Sequence, residues 1–367
     1  MSLARPLRTL APIMRPRTLL LLCLAALAAV IVGCSSSEET TTTTAPTATT
    51  TVGPTTTTST TSTTTTTIAA LEVAGTLNGL PGEPGTEDRR MVGVKVDNHP
   101  NARPQSGLQE ADAVYEVLVE AGLTRFIALF HQSDSKFVGP VRSARPTDSK
   151  LMRPLGGPLQ ISGGQDWIIS IYRQDETPIV GDFGVTTYRM SHRNAPHNLY
   201  ASTEAIRQFA DDRGMPDEPP PPLFNFGEPS DTSDEATAIT FDWSDAPEVI
   251  WQWDGEQYLR FNGDEPHDWI DGDSNPGQIA FDGLVVLMGD VYTARPSGSG
   301  SSVPATTTVG SGDALVFHSG EVVEGTWSRE EITDVFELTD GDGEPIVMPP
   351  GRLWIAMFPD DRTVSWE

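Results

Sequence analysis

An α/β (or α+β) domain followed by a mostly antiparallel β domain is the fold class this sequence predicts, and three observations carry it. Residues 71–236 mix apolar strand-like runs with helical stretches, the pattern of a layered domain with helices packed on a sheet. Residues 237–367 hold a succession of short strand-like runs punctuated by Asp-Gly, Asn-Gly and Ser-Gly pairs, the cadence of antiparallel hairpins. Ahead of both lies a Thr- and Ser-rich run with almost no apolar residue to bury.

Residues 1–33 read as an export signal. Arg5, Arg8, Arg15 and Arg17 precede an apolar stretch from Leu19 to Val32, with no acidic residue among them. That stretch, about 14 residues, is shorter than the ~20 a membrane-spanning helix needs. It ends on Ile31-Val32-Gly33-Cys34, the pattern of a bacterial lipobox, so lipidation is expected at Cys34. The other of the two cysteines, Cys23, falls within the signal. The body is thus left with no thiol for a disulfide, a thiolate metal site or a cysteine nucleophile. Acyl chains on Cys34 make membrane lipid the expected partner, at ~0.8 kcal/mol per buried methylene. They place the body at the cell membrane, on its extracytoplasmic face. Residues 34–70 are the Thr/Ser/Pro-rich linker, expected to be disordered and about 30 Å from end to end.

Within residues 71–236, Met91–Asp97, Ala113–Val119 and Leu123–His131 read as strands, the last two parted by a turn at Glu120-Ala121-Gly122. Thr147–Leu155 and Ser202–Arg213 read as helices, with Ser202 an N-cap and Gly214 a stop. Pro216–Pro222 is a stiff connection. Beyond residue 237, strands are expected at 249–253, 257–261, 279–287, 314–318, 322–327, 352–358 and 363–366. Trp327 and Trp354 fall inside these runs and read as core rather than as sugar-stacking faces. Tyr292–Val309, rich in Gly, Ser and Thr, is expected to be a mobile loop. Asp271–Ser274 and Asp340–Glu344 read as hairpin turns, because neither carries the position-12 ligand of a calcium loop.

Twenty-four Lys and Arg stand against 51 Asp and Glu, a net charge of −27. Phosphate-backbone binding needs clustered cations, so nucleic acid is not an expected partner. The chain contains no G-x-S-x-G, H-E-x-x-H, P-loop or dinucleotide fingerprint. No cofactor and no metal are expected.

Three polar clusters carry the candidate chemistry. Gly139–Asp148 sets Arg142, Ser143 and Arg145 between two prolines, and two guanidinium forks there could converge on one carboxylate or phosphate. The alternative is internal ion pairing with Asp97, Glu116 or Asp148. Asp97, Asn98 and Arg103 follow directly on the first strand, where α/β folds often place ligand contacts. In Tyr188–Tyr200, His192 and His197 are five apart with Pro196 between them. They do not share a helix face, so an acid–base or loop-anchoring role is favoured over metal ligation.

Val94–Asn98, Ala102–Leu108, Ala111–Glu116, Val138–Arg145 and Ala195–Tyr200 together resemble the YerB-like bacterial lipoproteins. Tyr258–Phe261, Gly325–Arg329 and Pro350–Ile355 are similar to that family's C-terminal module. The resemblance spans nearly all of residues 90–367. It implies a two-domain extracytoplasmic lipoprotein and carries no catalytic residue.

Three functions stay open at this point. The first is a cell-envelope binding module that holds an anionic or glycan ligand, such as a cell-wall polymer, through Arg142, Ser143, Arg145, Asp97, Asn98 and Arg103. The second is a hydrolase or transferase acting on an envelope polymer, with Asp97, Glu116, Asp148 and His197 as its acid–base candidates. The third is a structural scaffold without a small-molecule site. A carboxylate bonded to His197 beside the arginines in an open cleft favours the enzyme. Arginines sealed in ion pairs with those acids favour the scaffold.

Overall fold

Val92–Asp97 (β1), Ala113–Leu118 (β2) and Thr124–Phe130 (β3) are the three strands expected near the start of the domain. This computed structural model describes residues 74–182, 184–230 and 234–367. The signal, Cys34 and the whole linker at 34–70 lie outside the described residues. Glu120–Gly122 turns β2 into β3, with Ala121 in the left-handed region at φ 62°. Pro146–Met152 (α1) begins behind its proline and runs into a tighter turn at Arg153–Leu155. Leu159–Gln160 (β4), Asp166–Gln174 (α2) and Ile179–Val180 (β5) follow. Thr203–Asp212 (α3) is capped by Ser202, whose side chain accepts from the Ala205 amide.

The second half is built of strands. Ala238–Phe241 (β6), Val249–Trp253 (β7) and Tyr258–Asn262 (β8) come first. Gly283–Gly289 (β9), Gly310–His318 (β10), Glu321–Arg329 (β11) and Glu337–Asp340 (β12) form a meander. Leu353–Pro359 (β13) and Val364–Trp366 (β14) close the chain.

Both halves contribute to one 11-stranded sheet, ordered β12-β11-β10-β9-β13-β2-β3-β1-β4-β5, with Asp234–Glu235 added beside β11. The join is β13, which lies parallel to β9 on one side and to β2 on the other, pairing Leu353 with both Gly283 and Ala113. A smaller sheet, β8-β7-β6-β14 with two short flanking strands, is antiparallel throughout. β2 is antiparallel to β3 and β3 to β1, and β4 is parallel to β1. It follows that β9, β13, β2, β1 and β4 all end on the same edge of the sheet. Such an edge, outside strand carboxyl ends, is where open α/β sheets hold ligands.

Two apolar layers explain the strand sequences, because successive side chains point to opposite faces. Val114, Phe126, Ala128, Trp354 and Phe358 pack on one face with Trp251, Phe241 and Phe281 of the second half. Tyr115, Ile127, Leu129, Ile355 and Met357 pack on the other with Leu151, Met152, Ile168 and Tyr172 of the helices. Strands buried on both faces read as near-continuous apolar runs. Trp327 and Trp354 are core residues, as their strand-like surroundings imply.

One expectation needs correction. Tyr292–Val309 is not a loop throughout: Val291–Ala294 and Val303–Thr306 pair as a hairpin. Val303 and Ala305 are buried, and the Thr306 amide donates to Thr147 Oγ1 of α1 at 3.0 Å. Docking on α1 orders a segment whose composition reads as irregular.

Candidate functional site

Three separated segments converge at the carboxyl end of β1, and backbone lacing is what brings them there. The Asp97 amide donates to Pro140 O at 2.9 Å and the Arg142 amide to Lys95 O at 2.8 Å, so residues 140–142 lie along β1. In turn the Val141 amide donates to Leu199 O, and Val138 and Ala201 exchange both backbone bonds. Leu199–Ala201 pairs with Thr187–Arg189 as a short hairpin. Each segment contains a cis X–Pro bond, at Arg103–Pro104, Gly139–Pro140 and Ala195–Pro196.

Asp97 is the centre of the cluster. Its Oδ1 accepts from the His99 amide at 3.1 Å, and its Oδ2 meets His197 Nδ1 at 2.7 Å. The same Oδ2 lies 3.1 Å from Arg142 Nε, close enough for an ion pair though not aligned as a hydrogen bond. The imidazoles of His99 and His197 stack with centroids 4.9 Å apart. Asp97 is nearly buried at 4% side-chain exposure, whereas Arg142 keeps 25% and His197 13%. Among the described residues, the two terminal nitrogens of Arg142 and Nε2 of His197 have no protein partner. The outward side of the cluster therefore offers donors on a guanidinium fork next to an imidazole nitrogen.

The remaining arginines are occupied. Arg145 grips Glu120 with two bonds, Nε to Oε2 at 2.8 Å and Nη2 to Oε1 at 2.7 Å, and gives Nη1 to Ala144 O. Burial pushes the Glu120 carboxyl up, but hydrogen bonding and attraction from Arg145, with Arg125 beyond, outweigh it and hold Glu120 below the usual carboxylate range. Arg125 donates to Ser143 O at 2.9 Å, and burial, then repulsion from Arg145, lowers it to about 10. Among the described residues, Ser143 Oγ meets Ser162 Oγ, at 3.4 Å. Arg103 is turned back on Asn98, donating from Nε to Oδ1 at 3.1 Å. Arg193 ties the third segment to the first through Ala102 O and Pro104 O. Arg142 and Arg145 thus point at different carboxylates and do not form one fork.

Two of the acid–base candidates are sealed. Asp148 is fully buried, bonded to Lys95 Nζ at 2.7 Å, and its Oδ2 accepts from the Arg145 amide at the head of α1. Burial lowers Lys95 to about 8, against the attraction of Asp148. Glu116 is fully buried too, accepting from Thr124 Oγ1 at 2.6 Å, Arg260 Nη2 at 2.9 Å and Trp354 Nε1 at 2.8 Å. Neither carboxylate has a path to a substrate, so neither serves as a general acid or base.

Glu116 nevertheless supports the cluster from below. Thr124 Oγ1 also accepts from Asn98 Nδ2 at 2.8 Å. Gln105 Nε2 donates to Asp97 O and Asn98 Oδ1, while its Oε1 meets His267 Nε2 at 2.8 Å. His267 is bonded through Nδ1 to Arg260 Nη1. Burial, then the charges of Arg260 and Arg103, lowers His267 well below its ordinary range, so it is neutral. Arg260 itself sits among Phe126, Trp251 and Trp354, at 5.4, 5.7 and 5.2 Å from the ring centroids, a cation–π box. The loop that carries Asp97 and Asn98 is thereby floored by residues of the second half.

Sequence reasoning singled out Asp97, Asn98, Arg103, Arg142, Ser143, Arg145 and His197, and the structure gathers all of them around the end of β1. It missed His99, Glu120, Arg125 and Arg193. His99 and Arg193 lie within the quoted clusters, whereas Glu120 reads as a turn residue and Arg125 as part of a strand.

Residues 77–216 match the family described as the N-terminal domain of a protein of unknown function, DUF3048, and residues 237–355 match its C-terminal domain. The chain is similar to YerB of Bacillus subtilis, whose name marks it as a candidate lipoprotein. The identity is 29% over 305 residues, covering 79% of this chain and 88% of that one. The crystal structure of the Bacillus subtilis YerB protein superposes with a TM-score of 0.69 at 26% identity, covering 80% of this chain and 99% of that one.

Proposed function

Because the chain belongs to the YerB-like DUF3048 family, we propose that it is a lipid-anchored extracytoplasmic module whose Asp97–Arg142–His197 cluster holds an anionic group of a cell-envelope polymer. The observation that carries this reading is the open side of the cluster. Arg142 is held by one nitrogen while its terminal N–H groups stay unengaged. A planar fork so held can take a carboxylate or phosphate with two parallel bonds. His197, fixed through Nδ1, adds a third polar atom beside it. The acidic body of the chain repels polyanions elsewhere, which would confine an anionic group to this spot.

The test is retention on purified cell wall and on polyglycerol phosphate. Replacing both Arg142 and His197 by Ala is expected to weaken retention about tenfold or more, the worth of one charge-assisted hydrogen bond. Equal retention of the variant would sink the reading. The anchor is tested separately: Cys34→Ser is expected to abolish palmitate labelling in growing bacteria and release the protein from membranes. Labelling that persists removes Cys34 as the lipidated residue.

A second reading has one observation in its favour. Asp97 orients His197 at 2.7 Å with Nε2 left over, the arrangement of a carboxylate-steered general base. On that reading the protein cleaves or transfers an envelope polymer, and Asp97→Asn abolishes turnover of labelled cell wall.

A further inference from the structure

The Asp97 cluster presents more than a guanidinium fork, because its two stacked imidazoles carry their protons on opposite nitrogens. Asp97 Oδ2 lies 3.1 Å from Arg142 Nε, and a carboxylate oxygen so paired only accepts. His197 Nδ1, 2.7 Å from the same oxygen, is therefore the donor. In a neutral imidazole the other nitrogen bears a lone pair, so His197 offers an acceptor at Nε2. His99 is fixed the other way. Its Nδ1 accepts from the Asn101 amide at 3.1 Å, which leaves the proton on Nε2 and makes that atom a donor.

Both atoms are open. Among the described residues, neither Nε2 has a protein partner and neither is sealed from solvent. The same holds for the terminal nitrogens of Arg142, whereas its Nε is sealed. The rings stack with centroids 4.9 Å apart and planes 21° from parallel, so neighbouring rings supply one acceptor and one donor next to the fork. An anionic oxygen only accepts, which suits Arg142 and His99 but leaves His197 unanswered. A hydroxyl both donates and accepts and answers both imidazoles.

Resting on the anion-binding reading of this cluster, we infer that its ligand is a hydroxyl-flanked anion, the chemistry of a polyol phosphodiester. Arg142 takes two phosphate oxygens, His197 Nε2 accepts from a neighbouring hydroxyl, and His99 Nε2–H donates beside it.

Displacement of the full chain from polyglycerol phosphate is measured at about pH 8, where an ordinary imidazole is neutral. The competitors are glycerophosphoglycerol and its fully O-methylated form, which keeps the anion and every oxygen but deletes the hydroxyl donors. The free polyol is expected to displace the protein at about fivefold lower concentration or less, the worth of one hydrogen bond. His197→Phe keeps a ring against His99, removes the acceptor, and should erase that preference. The two competitors are compared on the unaltered chain, so misfolding of the variant does not blunt the result. Equal displacement by the two, none by either up to about 10 mM, or the same preference in His197→Phe overturns the inference. The anion reading beneath it falls only if the polymer holds the Arg142→Ala, His197→Ala double variant as well as the unaltered chain. Phosphatidylglycerol vesicles carry the same chemistry on a lipid, and the Cys34→Ser protein is expected to stay unbound to them. Flotation with vesicles in place of retention on the polymer assigns the group to a lipid headgroup and overturns the polymer as its source.

Discussion

Glu116 and Asp97 are both carboxylates of the central sheet, and each gathers an arginine, yet one is closed and the other open. Glu116 sits within β2, where its oxygens accept from Thr124, Arg260 and Trp354 and nothing reaches solvent. Asp97 is the last residue of β1, and its partners Arg142 and His197 keep free nitrogens on their far sides. The difference is one of position along a strand. A carboxylate in mid-strand between two packed layers must be satisfied entirely by protein, because an unpaired buried charge is prohibitive. A carboxylate at a strand's end can share its partners with a ligand.

The sharpest way to break this comparison is Arg260→Ala. It strands Glu116 without its cation, and the expected cost is about 3–5 kcal/mol, read as a lowered urea midpoint at unchanged slope. Replacing the pair together, Glu116→Leu with Arg260→Met, should recover most of that loss. If the single variant costs less than about 1 kcal/mol, Arg260 does not sustain the closed centre.

Smaller effects sharpen the contrast. Trp354→Phe deletes one donor to Glu116 and keeps an aromatic ring, so about 1–3 kcal/mol is expected by thermal or urea unfolding. Arg142→Ala, at the open cluster, should cost less than Arg260→Ala because Asp97 keeps His197 and the His99 amide as partners, while retention on polyglycerol phosphate falls. A large stability loss with retention intact would reverse the two roles.

The smallest effect concerns Glu120. Its pKa in the folded protein lies below the ordinary value, so its contribution to stability is present above the unfolded pKa and lost as pH falls through the folded one. Glu120→Gln should therefore lower stability slightly at neutral pH, by less than about 1 kcal/mol, since the carboxylate itself is 40% exposed. The two stability curves should meet in acid, and a gap that widens on acidification contradicts the sign.

Much of the fold was legible because its signals are local. β1, β2 and β3 follow from near-continuous apolar runs, and α3 from the Ser202 cap and the Gly214 stop. The hairpin at Val291–Thr306 was not legible, since its order comes from packing on α1 rather than from composition. The candidate site was legible as a set of residues and illegible as a set of pairings. Arg142 and Arg145, three apart in the chain, read either as one fork or as internal ion pairs with Asp97, Glu116 or Asp148; Arg142 does pair with Asp97, whereas Arg145 turns to Glu120. Glu116 and Asp148 read as acids of equal standing with Asp97, and only their depth in the core removes them.

Composition, the cysteine inventory and apolar period were enough to give a fold class, an expected anchor at Cys34 and the segments worth watching, since each depends on near neighbours in the chain. Which carboxylate stays open, and which histidine reaches it, depended on contacts across 100 residues between Asp97 and His197 and 144 between Glu116 and Arg260. Such long closures carry no local signature, because their entropy cost is met only when the whole sheet and both of its apolar layers form together.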